Sequence, residues 1–178
     1  MIVVFLDFDG VLNSTAFQLS LPEEQRGGVM GLDRAAIVRL NRLVQETEAE
    51  VVISSTWRHG RTVQQLRTLL QEHGFVGTVR GRTPQWLEKS PGGLYSAEER
   101  GHEIQAWLNK AEDYGCFVDS FVILDDDSDM AHLRDRLIKT EFATGLLDEH
   151  VDRAIAMLRA PMPLILLPKP SVTEIYHV

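Results

Sequence analysis

The feature that most constrains this chain is residues 2–13, Ile-Val-Val-Phe-Leu-Asp-Phe-Asp-Gly-Val-Leu-Asn, where an apolar run stops abruptly at two carboxylates and a glycine. Five successive apolar residues, Ile2 to Leu6, predict a strand buried on both faces, as in the middle of a parallel sheet. Asp7 and Asp9 follow at a spacing of two, so extended backbone puts both carboxylates on one side and Phe8 on the other. Gly10 permits a sharp turn and a close approach of a ligand to the backbone. Acids at the carboxyl end of a central strand stand where open α/β sheets place their ligands, and together they suit a divalent cation and a phosphate. An isolated Asp-x-Asp-Gly more often simply ends a strand in a solvated turn, so the reading depends on further segments delivering matching chemistry.

Two segments do. Glu50-Val51-Val52-Ile53-Ser54-Ser55-Thr56-Trp57-Arg58 is a short β-branched run ending in hydroxyls and an arginine. Between it and the first strand, Asp33 reads as an N-cap, and Ile37, Leu40, Leu43 and Val44 recur at helical spacing to about Glu48. Strand, helix, strand with short links implies a right-handed crossover and a parallel sheet, which brings Ser54 to the same edge as Asp7. A hydroxyl there donates to a phosphoryl oxygen, and a helix beginning near Gly60 adds backbone N–H groups. Equally, Ser54, Ser55 and Thr56 are ordinary capping residues for that helix. The other segment, Ser120-Phe121-Val122-Ile123-Leu124-Asp125-Asp126-Asp127-Ser128-Asp129, again runs an apolar strand straight into carboxylates. In a parallel sheet Asp125 and Asp126 reach the crevice that holds Asp7.

The rest of the chain fits an alternation of helices and strands. Residues 13–32, with Pro22, Gly27, Gly28 and Gly31, predict a loop or flap beside the first strand's carboxyl end. Val63, Leu66, Leu69 and Leu70 mark a helix closed by Gly74. Residues 75–95 predict a short strand, Phe75 to Val79, then loop with at most one helical turn around Trp86. Ser96-Ala97-Glu98-Glu99 is a capping-box pattern opening a helix with Ile104, Trp107 and Leu108 on its buried stripe. Arg100 lies in that helix's first turn, where the dipole disfavours a cation, so it is either aimed at an anion or a surface residue with Glu partners. A helix over Met130 to Leu137, a strand near Ile138 to Phe142 and a helix from Asp148 to about Leu158 follow. His132 and His150 show no ligand-type pairing and read as surface or partly packed, and Gly101-His102-Glu103 lacks the second His of a helical zinc motif. The tail, residues 160–178, has prolines at 161, 163, 168 and 170 around Leu164–Leu167, which confine that run to an edge strand or extended arm packed on its own domain.

Composition narrows the partners. The 178 residues, 44% hydrophobic and 25% charged, match one globular domain spanning 1–178. A formal net charge of -8 argues against broad binding to a polyanion or an anionic membrane, so an anionic substrate needs a local positive site. Arg58, Arg61, Arg67, Arg80 and Arg82 lie within one stretch, although such a scatter is more often a solvated face. The single cysteine, Cys116, reads as a small buried hydrophobe and excludes a disulfide framework. The opening run has no basic segment before it and is broken by Asp7, unlike a secretory signal, and no stretch approaches a membrane span. The expected location is cytoplasmic.

The ordered set of motifs resembles the haloacid dehalogenase-like (HAD) superfamily over roughly residues 1–160. Asp7-Phe8-Asp9-Gly10-Val11-Leu12 resembles its first motif, Ile53-Ser54 its second, a basic residue opening a helix at Arg100 its third, and Leu124-Asp125-Asp126-Asp127-Ser128-Asp129 its fourth. Ser-Ser-Thr-Trp-Arg after the second strand, Glu103–Leu108 and the run Asp125-Asp126-Asp127-Ser128-Asp129 are most similar to the small phosphatase modules of RNA-repair proteins, and the phosphatase half of polynucleotide kinase-phosphatase is similar in its motifs. The resemblance implies an α/β fold, a three-layer Rossmann-like parallel sheet with helices on both faces, and because neither segment between the motifs is long enough to fold over the site as a full lid, the cap is expected to be minimal or absent. It implies a Mg²⁺-dependent phosphomonoesterase in which Asp7 attacks phosphorus to form an aspartyl-phosphate and Asp9 serves as acid and then base. Asp7, the backbone carbonyl of Asp9, Asp125 and Asp126 would hold Mg²⁺, Asp126 directly or through water. Ser54 and Arg100 would hold phosphoryl oxygens, with Ser55 in place of Ser54 if the strand runs one residue longer. Lys89 is the alternative to Arg100, Arg58 resembles an additional phosphate-binding arginine by proximity alone, and Asp129 either binds metal or caps the next helix.

An open site implies a large phosphorylated substrate, such as a 3′-phosphate end of RNA or DNA, with a nucleotide, a metabolite or a phosphoprotein as alternatives. Two other readings compete: a non-catalytic phosphate-sensing or partner-binding module, and a receiver-type phosphoacceptor. The second is disfavoured because Asp-x-Asp comes first here.

Overall fold

The computed structural model describes residues 1–26, 31–85 and 100–161, and between the last two segments the backbone of two short strands. The elements are β1 (Ile2–Leu6), α1 (Thr15–Ser20), α2 (Arg34–Thr47), β2 (Glu50–Ile53), α3 (Val63–Glu72), β3 (Val79–Arg82), β4 (Leu87–Lys89), β5 (Tyr95–Ala97), α4 (Arg100–Asp113), β6 (Ser120–Asp125), β7 (Leu137–Lys139) and α5 (Asp148–Arg159). Five of the strands form one parallel sheet in the order β3-β2-β1-β6-β7. The apolar opening run lies at its centre, as a strand buried on both faces must.

Helices cover both faces. Val4 and Leu6 of β1, with Val51, Ile53, Val122 and Leu124, meet Leu40 and Leu43 of α2, Leu66 and Leu70 of α3 and Val151 and Ile155 of α5. The alternate residues Val3 and Phe5, with Val52, Phe121 and Ile123, meet Ile104 and Leu108 of α4. Phe5 is held edge-on by Trp107 and Phe121, at centroid distances of 5.4 and 5.7 Å. Its complete burial contributes about 1.5–3 kcal/mol relative to exposure. This two-sided packing is the three-layer α/β arrangement expected from the sequence.

Several expectations need correction. The 13–32 loop contains α1, capped by Ser14, whose Oγ accepts from the Phe17 N–H, and a 3-10 turn over Glu23–Gln25; residues 27–30 lie outside the described residues. The helix expected near Gly60 is α3, which follows a 3-10 turn over Thr56–Arg58 and starts where Thr62 and Gln65 form a reciprocal capping box. The strand expected at Phe75–Val79 is shifted to Val79–Arg82, and Phe75 is instead a core residue. Ser96 does not cap a helix, because Tyr95–Ala97 pairs antiparallel with Leu87–Lys89 as a two-stranded sheet, and α4 is described from Arg100. Met130–Leu137 is a 3-10 helix over Ala131–Arg136, and β7 occupies Leu137–Lys139 instead of 138–142. Cys116 is only half-buried. His150 is buried, its Nδ1 accepting from the Leu147 N–H at the start of α5. The turn at Trp86, the Lys89 side chain, Glu98, Glu99 and the 164–167 run lie outside the described residues. Among those described, no helix is long and apolar enough to cross a membrane.

Candidate active site

Parallel register delivers the site. Leu6 pairs with Ile53 on one side and Leu124 on the other, so the next residues along, Asp7, Ser54 and Asp125, emerge side by side at the sheet's carboxyl edge. They continue the face formed by Val3, Phe5, Val52 and Ile123, the face that α4 covers. The order β2-β1-β6 also makes this the point where connections diverge to opposite sides of β1, the usual crevice of such sheets.

Arg100 arrives from the first turn of α4. Its Nη1 lies 3.1 Å from Asp7 Oδ1 and also donates to the Ser54 carbonyl oxygen, while its Nε lies 3.2 Å from Asp125 Oδ2. Asp129 accepts from the backbone N–H of Arg100 at 3.2 Å, placing a carboxylate at the positive end of α4, where it offsets the unfavourable position of the cation. Asp129 thus anchors α4. The Gly101 backbone pairs with the Asp129 carbonyl, and a Cβ at Gly101 would lie only 2.2 Å from the Met130 oxygen. Only glycine lets the two segments approach so closely.

Asp7, Asp125 and Asp126 each offer a carboxylate oxygen, all within 4.8 Å of one another. Gly10 has a φ of +69° and a Cβ there would meet Asp126 Cγ at 2.3 Å, so the first motif's turn and the fourth motif's acid share one space. Thr140 fastens this crossing: its Oγ1 donates to the Gly10 carbonyl at 2.7 Å and its N–H to the Asp125 carbonyl.

The electrostatics are those of an acid cluster short of positive charge. Burial pushes the Asp7 carboxyl up to about 6, opposed by Arg100 and by a hydrogen bond with the Ser55 side chain. Burial pushes Asp125 up to about 8, opposed by Arg100 and reinforced by Asp7. Asp126 is raised as well, again first by burial. For Arg100, burial pulls downward and the carboxylates of Asp125 and Asp7 more than compensate, leaving a net rise. Asp125 Oδ2 is buried and, although ion-paired to Arg100, makes no directed hydrogen bond. A cluster of hard oxygen donors with an unsatisfied oxygen fits a hard divalent cation.

Asp9 is held differently. Its Oδ1 accepts from Asn13 Nδ2 at 2.9 Å and its Oδ2 from Trp57 Nε1 at 2.7 Å. Neither the Asn13 nor the Trp57 contact is legible from the sequence. Trp57 was visible only as part of the Ser-Ser-Thr-Trp-Arg string, and nothing in spacing says that its indole turns back towards β1.

The two serines behave unlike each other. The Ser54 hydroxyl is fully buried with no hydrogen-bond partner, and Ser55 Oγ caps the following 3-10 turn by accepting from the Trp57 N–H. Arg58 is buried at 3% exposure. It donates to the carbonyls of Ser54, Ser55 and Pro84 and pairs with Glu103 of α4. Burial lowers its pKa, with Glu103 opposing. The other arginines of the stretch are scattered: Arg80 pairs with Glu50, Arg67 donates to the Val79 carbonyl and Arg82 to that of Arg58.

A family model described as the HAD domain in Swiss Army Knife RNA repair proteins matches residues 3–151, from the first residues of β1 into α5. The chain belongs to this family. As such a HAD domain it stands among HAD-type phosphatases, whose substrates are phosphorylated and which typically use a divalent metal, and its acidic triad is placed to serve that chemistry. No curated protein and no solved structure matches the chain.

Proposed function

We propose that this HAD domain is a Mg²⁺-dependent phosphomonoesterase that works through an aspartyl-phosphate on Asp7 and acts on a 3′-phosphate end of a polynucleotide. The observation that carries the reading is the meeting, at one sheet edge, of Asp7 with Arg100, the unpaired hydroxyl of Ser54 and the carboxylates of Asp125 and Asp126.

Asp7, Asp125, Asp126 and the backbone carbonyl of Asp9 would hold the ion. When bound, Mg²⁺ offsets the carboxylates' repulsion of a phosphate dianion and keeps them ionised. Asp7 Oδ attacks phosphorus, and the bond to the leaving oxygen breaks as Asp9 passes it a proton. Asp9 then takes a proton from the water that hydrolyses the acyl-phosphate. The Ser54 hydroxyl and the Arg100 guanidinium stabilise the phosphoryl oxygens as charge shifts during transfer. Arg58, whose N–H groups are turned to backbone carbonyls and Glu103, supports the Ser54–Ser55 turn instead of reaching the phosphate.

The polynucleotide end as substrate rests on the family's occurrence in RNA repair proteins and on the smallness of what is described between β3 and α4, two paired three-residue strands. The decisive assay compares wild type with Asp7→Asn, with added Mg²⁺, on 3′-phosphorylated oligonucleotides, nucleotides and phosphopeptides. Phosphate release confined to wild type, best on oligonucleotides and falling with added salt, is expected. Release that survives Asp7→Asn, or none from any substrate, refutes the enzyme. A preference for small substrates that is indifferent to salt transfers the reading to a nucleotide or metabolite phosphatase.

A further inference from the structure

We infer that Trp57, Asn13 and Gln18 are positioning residues for the proton-transferring carboxyl of Asp9, and that through Gln18 helix α1 is part of the catalytic apparatus. The inference rests on the phosphatase reading above and assigns a source to its acid catalysis.

A carboxyl group bonded through one oxygen turns about its Cβ–Cγ bond; bonded through both, its plane is fixed. Asp9 is bonded through both, to Asn13 Nδ2 and Trp57 Nε1. Each carboxylate oxygen accepts in two lone-pair directions. The two bonds occupy one direction on each oxygen, and the remaining directions, now fixed in space, are those along which a proton travels to or from substrate.

Neither anchor is loose. The Trp57 ring lies edge-on to Phe8, with centroids 5.3 Å apart and planes at 70°, and Phe8 is completely buried. Its backbone sits in the 3-10 turn capped by Ser55. The side-chain oxygen of Asn13 accepts from Gln18 Nε2 at 2.6 Å, so its amide is held with nitrogen towards Asp9. Gln18 belongs to α1, a helix of six residues that buries none of them. The helix is fixed from its N-terminal end, by the Ser14 cap and by the N–H groups of Thr15 and Ala16 donating to the carbonyls of Phe142 and Ala143. A helix with no share in the core is not explained by packing, whereas the Gln18–Asn13–Asp9 line gives it a place in the site.

The consequence depends on the leaving group. As Asp7 bonds to phosphorus, the breaking P–O bond leaves its electron pair on the departing oxygen, which takes the Asp9 proton. A sugar hydroxyl or other alkyl leaving group needs that proton in the transition state; para-nitrophenolate, a weak base, departs without it. Hydrolysis of the aspartyl-phosphate, where Asp9 is the base, is common to all substrates and lies after leaving-group departure, so in kcat/KM misorienting Asp9 penalises the alkyl class and spares the nitrophenyl ester, which a general structural defect does not do.

The test measures kcat/KM with Mg²⁺ for an alkyl phosphate and for para-nitrophenyl phosphate, using Trp57→Phe, which keeps a ring against Phe8 without the N–H, and Gln18→Ala, at a position outside the core. Both variants are expected to lose about ten- to a hundredfold on the alkyl phosphate and little on the nitrophenyl ester, with unchanged thermal melting. Equal losses on the two substrates, or no loss in either variant, overturn the assignment. A selective loss in Trp57→Phe alone overturns the part given to α1. A 3′-phosphorylated oligonucleotide serves as the alkyl phosphate if the small one is not turned over, and wild type inactive on all three overturns the phosphatase reading and this inference together, whereas equal losses overturn this inference alone.

Discussion

Ser54 illustrates how a residue's poor fit in the resting fold becomes informative. A fully buried hydroxyl without a partner forgoes the hydrogen bonds that it made to water in the unfolded chain, a penalty of about 1–3 kcal/mol. Removing such a group leaves no orphaned partner behind. Ser54→Ala is therefore expected to leave stability within about 1 kcal/mol of wild type, or slightly higher, and to lower kcat about a hundredfold through loss of an oxyanion donor. Urea unfolding and steady-state kinetics on one preparation check both halves. A substitution that destabilises and inactivates in parallel would show that the hydroxyl serves the fold. Ser55 offers the contrast, since its oxygen is already engaged with the Trp57 N–H and Asp7.

At the scale of elements, α4 does two jobs from one face. Ile104 and Leu108 pack on the sheet, while Arg100 and Glu103, one turn apart, face the carboxyl edge, where Glu103 meets Arg58. Both members of that pair are nearly inaccessible, at 3% and 6% side-chain exposure. Deleting one leaves a buried charge uncompensated, so Glu103→Ala is expected to lower unfolding free energy by about 3–5 kcal/mol. It also frees the β2 turn from α4 and so slackens Ser54 and Arg100. Denaturant titration checks the first effect. The second appears as a fall in kcat larger than that of Glu103→Gln, which retains hydrogen-bonding atoms. The elements themselves were legible where composition was one-sided. Apolar runs broken by acids or serines gave β1, β2 and β6 within a residue, and Asp33 gave α2. Val79–Arg82 was misplaced because Val-Arg-Gly-Arg carries one apolar residue and takes its strand identity from pairing with β2. The pairing of Leu87–Lys89 with Tyr95–Ala97 is not legible because the prolines and glycines of this stretch mask a weak alternation. In the site, carboxylates at strand ends were readable from period and order. The interior direction of Arg58, the Asn13 and Trp57 bonds to Asp9 and the α1 helix depend on tertiary contacts that no local pattern encodes.

For the whole molecule, the acid cluster makes stability depend jointly on pH and metal. In the metal-free chain Asp7 and Asp125 are raised by burial to about 6 and about 8, against an ordinary carboxylate value of 3.8. Between the unfolded and folded values the native state binds more protons than the unfolded chain, so the slope of unfolding free energy with pH is negative. This contribution is fully present below the ordinary carboxylate range and is lost as pH rises through about 6 and then about 8. A divalent cation reverses the trend, because it binds the ionised carboxylates of the folded state and stabilises by RT ln(1 + [L]/Kd), with a Kd that tightens as protons leave. With chelator present, the melting temperature is expected to fall between about pH 5 and pH 8. The gain on adding Mg²⁺ should be near zero at the acid end and grow steadily towards the alkaline end. Asp125→Asn removes the acid with the higher folded value together with one metal oxygen, so it should flatten both curves, leaving the chelator profile less steep and the Mg²⁺ gain small throughout. The net charge of -8 gives a background of carboxylate repulsion that also weakens the fold as acids ionise. That background is shared by the variant and screened by salt, whereas the buried cluster's contribution is not, so the difference between wild type and Asp125→Asn at high ionic strength isolates the site. If that difference vanishes, these carboxylates are solvated charges and the sheet edge is not a metal centre.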